Sequence, residues 1–183
     1  MPPKQRIFTK DIVNAATEIL RLQGADKLNA RAIAAELGCS TQPIFSAFES
    51  MDELHDAVFI AAHDRFLEFL DKHTQPRRVL ISMICAYVEF ARQEPEFFKL
   101  LFLSNVMRDA EIYALYQRNS MIEKTIMSTA GVTEQQAWDL FFHVFIFAHG
   151  LAALVVNNEN ALGETSLPGL VQDAIIGFYR LYA

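Results

Sequence analysis

The stretch NARAIAAELGCSTQPIFSAF, residues 29–48, decides how the N-terminal part of this chain folds. It predicts two short helices on either side of a turn at Gly38. Asn29 suits the N-cap of the first helix and Ser40 that of the second. Pro43 then lies in the first turn, where a missing N–H is tolerated. Two short helices joined by a tight glycine turn predict a helix-turn-helix, whose second helix enters the major groove of DNA.

The second helix of this motif carries no charged residue. Ile44 and Phe48 are four apart and are expected to face the core, which leaves a polar face outside. Gln can pair with adenine, Ser and Thr can bond to several base edges, and apolar groups meet the thymine methyl. We expect phosphate contacts from Arg31 and, on the N-terminal arm, from Lys4 and Arg6. The other residues expected to contact DNA are Ser40, Thr41, Gln42, Pro43, Phe45 and Ser46. Three helices packed only to form a core would show the same spacing.

A further helix is predicted before the motif, with Thr9 as its cap and Gly24 as its stop. Its expected inward face recurs at intervals of three and four and consists of Phe8, Ile12, Ala15, Ile19 and Leu22. Charge is unevenly distributed around it. Residues 1–31 carry six cations and three anions, a net charge of +3. Because the whole chain has a net charge of −6, residues 32–183 carry −9. A basic N-terminus on an acidic body is compatible with DNA binding.

Composition favours an all-α protein, because 52% of the residues are hydrophobic and no long stretch alternates apolar with polar residues. We expect a DNA-binding helix-turn-helix head over residues 1–50, a connecting helix over 51–75 and a larger helical body for ligand binding and dimerisation over 76–183. Further helices are predicted from about 108 to 130, from 134 to 157 behind a Thr133–Gln136 capping box, and from 167 to 182.

Residues 8–54 resemble the N-terminal domain of tetracycline-repressor-type (TetR family) transcription regulators. The shared features are the paired alanines of the first helix, Gly24, a cap before RAIAAELG, Ser40, the IF..F pattern and Leu54. The resemblance implies a homodimer that binds a palindromic DNA operator, commonly as a repressor, and leaves it when a small molecule enters the C-terminal domain. This sequence departs from the family at Phe45 and Met51, where a Tyr and a Lys are usual. Both departures remove an expected phosphate contact.

The last two helices are more apolar than surface helices need to be. A helix that is apolar on every side must be covered on every side. In a chain of 183 residues a second copy is the natural cover, and two helices from each copy would form a four-helix bundle. The residues predicted at this dimer interface are Phe141, Leu154, Leu170, Ile175 and Phe178.

The body also resembles a TetR subgroup with a Trp-x-x-x-His-Gly signature, in which Phe145 takes the Trp position before His149 and Gly150. This setting predicts an apolar cavity with a few polar groups, which is typical of a small-molecule site. Its expected lining is Tyr87, Phe90, Phe102, Tyr116, Phe145 and His149. Each of these side chains would serve equally well as ordinary core, so both interpretations stay open.

The motifs that would mark other functions are missing from the sequence. The five His have no metal-ligand spacing, and no phosphate loop or nucleophile turn occurs, so we expect no enzyme activity, cofactor or metal. No signal peptide is predicted, and residues 140–156 are slightly short for a membrane span. We therefore expect a cytoplasmic protein with no membrane partner. The alternative is a helical carrier of lipid or another small molecule that does not bind DNA.

Overall fold

The computed structural model describes residues 7–104 and 132–182. Within these ranges the chain is helical and has no strand, which confirms the all-α fold. It divides into two compact units. The first unit comprises Met1–Leu67 and Glu96–Ser104, and the second comprises Glu68–Pro95 and Asn105–Ala183. The helix predicted at 51–75 is therefore shared between the units, and a piece of the predicted body belongs with the N-terminal unit.

The first unit begins with α1, Thr9–Gln23. Phe8, not the expected Thr9, is its N-cap, and the carboxylate of Asp11 accepts the N–H of Phe8 at 2.9 Å. Ile12, Ala15 and Ile19 are buried as predicted, whereas Phe8 and Leu22 are exposed. The prediction of the inward face was therefore wrong at both ends: Phe8 is the N-cap, and the buried face includes Ala16 and Leu20 in place of Leu22. Leu22 lies to one side of that face.

Two short helices follow, α2 at Ala30–Glu36 and α3 at Gln42–Ala47. The side chain of Asn29 accepts the N–H groups of Arg31 and Ala32, at 3.1 and 3.0 Å, so the predicted cap is confirmed. Helix α3 starts later than expected. Its N-cap position is Thr41, so Ser40 does not cap it, and Pro43 falls in its first turn.

The turn between α2 and α3 is a Schellman motif. The N–H of Cys39 donates to the carbonyl of Ala34 at 2.9 Å, and the N–H of Gly38 donates to that of Ala35 at 3.2 Å. Gly38 has a φ of 63°, in the left-handed region that glycine enters without steric cost. This geometry ends α2 and sets the direction in which α3 leaves.

Helix α4 spans Met51–His73, and the side chains of Ser50 and Glu53 cap its N-terminus. The N–H of Glu53 donates to Ser50 Oγ at 3.1 Å, and the Glu53 carboxylate accepts the N–H of Glu49 at 2.6 Å. The first unit also holds most of α6, Pro95–Phe98, and a π-helical turn, Lys99–Leu103. There the ring of Phe102 meets those of Phe66 and Phe98 at centroid distances of 5.0 and 4.9 Å.

The second unit is built on α5, Val79–Gln93, α7, Glu134–Asn157, and α8, Leu167–Tyr179. All three helices contact one another. The predicted Thr133–Gln136 capping box is present at the start of α7, and α8 ends three residues earlier than predicted. Of the helices described, α7 is the one long and apolar enough, by length and composition alone, to cross a membrane. The helix predicted at 108–130 lies outside the described residues.

Candidate functional site

The outer face of α3 is uncharged and held in place from behind. Ile44 and Phe48 are buried, as predicted, and fix the helix in the core of the first unit. The outer residues are Ser40, Gln42, Phe45 and Ser46, which are exposed, and Thr41 and Pro43, which are half-buried. All six residues predicted to contact DNA are thus at least partly accessible. We call these six residues the reading surface.

One polar group on the reading surface is already engaged. Ser46 Oγ donates its proton to the carbonyl of Gln42 at 2.9 Å. A hydroxyl has one proton to donate and lone pairs to accept, so in this arrangement Ser46 offers DNA an acceptor. Phosphate oxygens are acceptors too, which makes Ser46 unsuited to a phosphate contact and suited to a base amino group.

The charges beside the reading surface have both signs. Arg31, in the first turn of α2, and Lys27, just before that helix, are exposed. Glu49, Asp52 and Glu53 follow α3 and are also exposed. Met51, which replaces the usual Lys, is half-buried at the start of α4. Cations on the α2 side are therefore the available phosphate anchors. Lys4 and Arg6, predicted for the same purpose, lie outside the described residues.

A second candidate site lies in the second unit, where α5 and α7 meet. The hydroxyl of Tyr87 on α5 lies 2.9 Å from Nδ1 of His149 on α7. Burial raises the pKa of Tyr87 far above its ordinary value, so the phenol keeps its proton. Burial also lowers the pKa of His149, which keeps the imidazole neutral. We assign Tyr87 as the donor and Nδ1 as the acceptor, with the ring proton of His149 on Nε2.

Aromatic rings surround this polar pair. The ring of Phe145 is centred 6.0 Å from that of Tyr87 and 5.9 Å from that of His149. Phe141 follows at 6.2 Å from Phe145, and Trp138 at 5.9 Å from Phe141. We call these five residues the aromatic cluster. Spacing along the sequence did not indicate Trp138 or Phe141 as members, although both lie on the same helix as Phe145.

The other residues predicted to line a cavity lie elsewhere. Phe90 is fully buried on α5, with its ring 5.4 Å from that of Phe69. Phe102 is buried in the first unit against Phe66 and Phe98. Tyr116 lies outside the described residues. The structure therefore joins Tyr87, Phe145 and His149 of the predicted six.

Helix α7 is apolar on two opposite sides. One side is buried in the second unit and includes Phe141, which had been expected at the dimer interface. The other side exposes Phe142, Ile146 and Leu154, with 45, 53 and 57% of their surface accessible. Ile176 of α8 is also exposed. We call these four residues the open face. Leu170, Ile175 and Phe178, the other predicted interface residues of α8, are half-buried.

Comparison with known families accounts for both units. Residues 12–58 match the family described as "Bacterial regulatory proteins, tetR family". Residues 80–169, which include all of α7, match "Tetracyclin repressor-like, C-terminal domain". Neither description identifies the Trp-x-x-x-His-Gly subgroup, which stays a prediction. Comparison with curated proteins finds no matching relative.

Solved structures with the same fold cover nearly the whole chain. A protein of unknown function from Rhodococcus sp. RHA1 is 20% identical with a TM-score of 0.72, over 100% of this chain and 99% of its own. A TetR variant from Acinetobacter baumannii AYE in complex with minocycline is 15% identical with a TM-score of 0.65, over 97% and 99%. The multidrug binding protein EbrR, complexed with imidazole, is 17% identical with a TM-score of 0.58, over 98% and 97%.

At these identities the solved structures establish the fold alone, and the two family matches establish more. Together they span the helix-turn-helix, α5 and α7 in the order that the family requires. The carrier without DNA binding is set aside by the match at residues 12–58, and an enzyme by the non-enzymatic nature of the family. The chain belongs to the TetR family of transcriptional regulators, with an N-terminal DNA-binding domain and a C-terminal ligand-binding domain.

Proposed function

We propose that this regulator is a cytoplasmic homodimer that represses transcription from a palindromic operator and is released by a small, neutral, apolar or aromatic effector. The observation that carries the proposal is the uncharged reading surface, which is fixed from behind by Ile44 and Phe48. A helix held in this way can present its outer side chains to the major groove with little loss of conformational entropy.

The proposed division of labour on DNA follows from chemistry and exposure. Gln42 presents an amide that can bond to adenine through two hydrogen bonds. Arg31 lies outside the reading surface and supplies a phosphate contact, which positions the domain without reading sequence. Lys4 and Arg6 are proposed to add backbone contacts from the arm.

The open face supports the dimer. Phe142, Ile146 and Leu154 recur at spacings of four and eight residues along α7, and Gly150 lies between them. Three large apolar side chains in a row on the exposed side of a helix mark an interaction surface. A second copy of the same face would cover them by two-fold symmetry. The half-buried Leu170, Ile175 and Phe178 of α8 would extend this contact.

The aromatic cluster supports the effector class. Its members offer ring faces together with one polar pair, and that pair is neutral because burial shifts both pKa values away from the charged forms. A charged ligand would find no opposite charge within the cluster. A planar apolar molecule with a hydrogen-bonding group would stack on Phe145. Its polar group would form a hydrogen bond with Tyr87 or His149.

The proposal is tested by selecting bound duplexes from a random DNA pool and measuring native mass by light scattering. We expect a palindrome to be enriched and a mass of two chains. Addition of neutral aromatic compounds should release the DNA from the native protein. His149→Gln together with Phe145→Ala should weaken that response without altering the selected sequence. A native mass of one chain would contradict the proposed dimer. Failure to enrich any sequence from the pool would contradict the proposed binding to a palindromic operator.

A further inference from the structure

The reading surface contains one large apolar side chain, Phe45. Phe45 is 55% exposed, in contrast to Ile44 and Phe48 of the same segment, which are buried. Exposure of an aromatic ring to water is unfavourable. The position of Phe45 on α3 is one at which the proposed function brings the chain against DNA.

A phosphate is a poor partner for this ring. Phe45 has no hydrogen-bond donor, and the hydroxyl of the adjacent Ser46 donates to Gln42 within the helix. The exposed charges that follow α3 are the carboxylates of Glu49, Asp52 and Glu53, which repel phosphate. Neither Phe45, nor Ser46, nor the exposed carboxylates that follow them along the chain would attract the DNA backbone.

The major groove offers an apolar group that fits. Thymine carries a C5 methyl there, whereas the other edges of the base pairs present hydrogen-bonding groups. Gln42 and Phe45 are three apart on one helix, which places their Cβ atoms about 5–6 Å apart. That separation is comparable with one or two base-pair steps of about 3.4 Å. A Gln42–adenine contact would thus leave Phe45 over a neighbouring base pair.

We propose that Phe45 packs against the C5 methyl of a thymine in each operator half-site, so that operator recognition depends on a methyl group. The inference rests on the proposed DNA-binding function and specifies what one residue of the reading surface recognises. Phe45 makes no hydrogen bond in this contact. It therefore distinguishes a methylated C5 from an unmethylated one and does not distinguish thymine from 5-methylcytosine.

The experiment replaces each thymidine of the selected operator by deoxyuridine, one symmetric pair at a time, which removes only the methyl group. We expect one pair to weaken binding about 5–20-fold, since each buried methyl is worth about fourfold in affinity and the dimer makes two contacts. The Phe45→Ala variant should bind more weakly and show no effect of that replacement. Phe45→Leu keeps an apolar side chain, so its binding should still be weakened by the deoxyuridine replacement, but less than that of the native protein.

A second comparison isolates the methyl from the base. At the sensitive position, a C·G pair should bind poorly, and the same pair with 5-methylcytosine should recover part of the affinity. Gln42→Ala is the matched variant on the same face. It should weaken binding while preserving the response to deoxyuridine.

The outcomes separate the inference from the function on which it rests. Operator binding that no deoxyuridine replacement alters, or an equal response in the native protein and Phe45→Ala, would overturn the methyl contact and leave the regulator intact. A Phe45→Ala variant that binds all sequences equally more weakly would also overturn it, because that result is typical of a backbone contact. Failure to bind any duplex would contradict the proposed function itself.

Discussion

The hydroxyl of Tyr87 and Nδ1 of His149 lie 2.9 Å apart although 62 residues separate them in the sequence. The bond joins α5 to α7 inside the second unit and places the polar pair among aromatic rings. Because both groups are neutral there, the pair stabilises the packing of the two helices without the cost of burying a charge. Protonation of His149 at Nδ1 would remove the lone pair that accepts the hydrogen bond from Tyr87.

The first prediction concerns pH. Burial lowers the pKa of His149 below its ordinary 6.5, so the folded chain binds this proton more weakly than the unfolded chain does. The stabilisation is complete above pH 6.5 and is lost as the pH falls from there through the folded-state pKa. We expect the free energy of unfolding of the native protein to fall more steeply below pH 6.5 than that of His149→Gln. Urea denaturation at a series of pH values measures both.

The native protein and His149→Gln share the other four histidines. The contributions of those histidines to the pH dependence therefore cancel in the difference between the two proteins. The amide oxygen of Gln can still accept a hydrogen bond from the Tyr87 hydroxyl, but Gln does not titrate. Parallel curves for the two proteins between pH 7.5 and 5.5 would show that His149 has no depressed pKa.

The second prediction concerns the open face. Phe142→Glu and Ile146→Glu place a charge where a single chain is solvent-exposed, so neither substitution disturbs the core of the second unit. In a dimer the same charges would be buried opposite their copies, which is unfavourable. We therefore expect helical protein of one-chain mass by light scattering. Ile60→Glu is the control, because Ile60 is 61% exposed on α4 in the first unit. A native protein that is already a single chain would refute this prediction.

The third prediction concerns the turn of the helix-turn-helix. A Cβ on Gly38 would meet no atom within 4 Å, so space does not limit substitution there. The φ of 63° does limit it, because left-handed backbone costs an ordinary residue about 1–2 kcal/mol. Gly38→Ala should lower the free energy of unfolding by that amount, and Gly38→Asn by less, since Asn tolerates this conformation.

Gly163 provides a matched comparison outside the first unit. It also has a positive φ, 54°, and a Cβ added there would meet no atom within 4 Å. Gly163→Ala should show a similar loss of stability with unchanged operator affinity, whereas Gly38→Ala should lower both. An equal effect of the two substitutions on DNA binding would mean that the turn does not orient α3.

The sequence allowed prediction of features that depend on local chemistry. The caps at Asn29 and Thr133 were correct because each needs only a side-chain oxygen and the next few N–H groups. The start of α3 was misplaced at Ser40, since two adjacent residues, Ser40 and Thr41, are both good caps and the choice depends on the Schellman turn before them.

The candidate sites depended on contacts between distant residues, which spacing does not contain. Helix α7 is apolar on every side, so the sequence did not show that Phe141 faces inward and Phe142 outward. The division of Phe102 and Tyr87 between two units was equally hidden. Both follow from which helix covers which face, and that is decided by the packing of the whole unit.

The last prediction separates the two kinds of DNA contact. Arg31→Ala should weaken binding to operator and scrambled duplexes by similar factors and should reduce the slope of log K against log salt by about two in the dimer, because one phosphate contact is lost per protomer. Gln42→Ala should leave the slope unchanged and cost on the order of 1–3 kcal/mol per contact on the operator alone. The control is Lys72→Ala, an exposed cation of the second unit, which should alter neither quantity. Competition binding over a salt series measures affinity and slope together. If Arg31→Ala acted only on the operator, Arg31 would be a base-reading residue and the reading surface would have to be extended to α2.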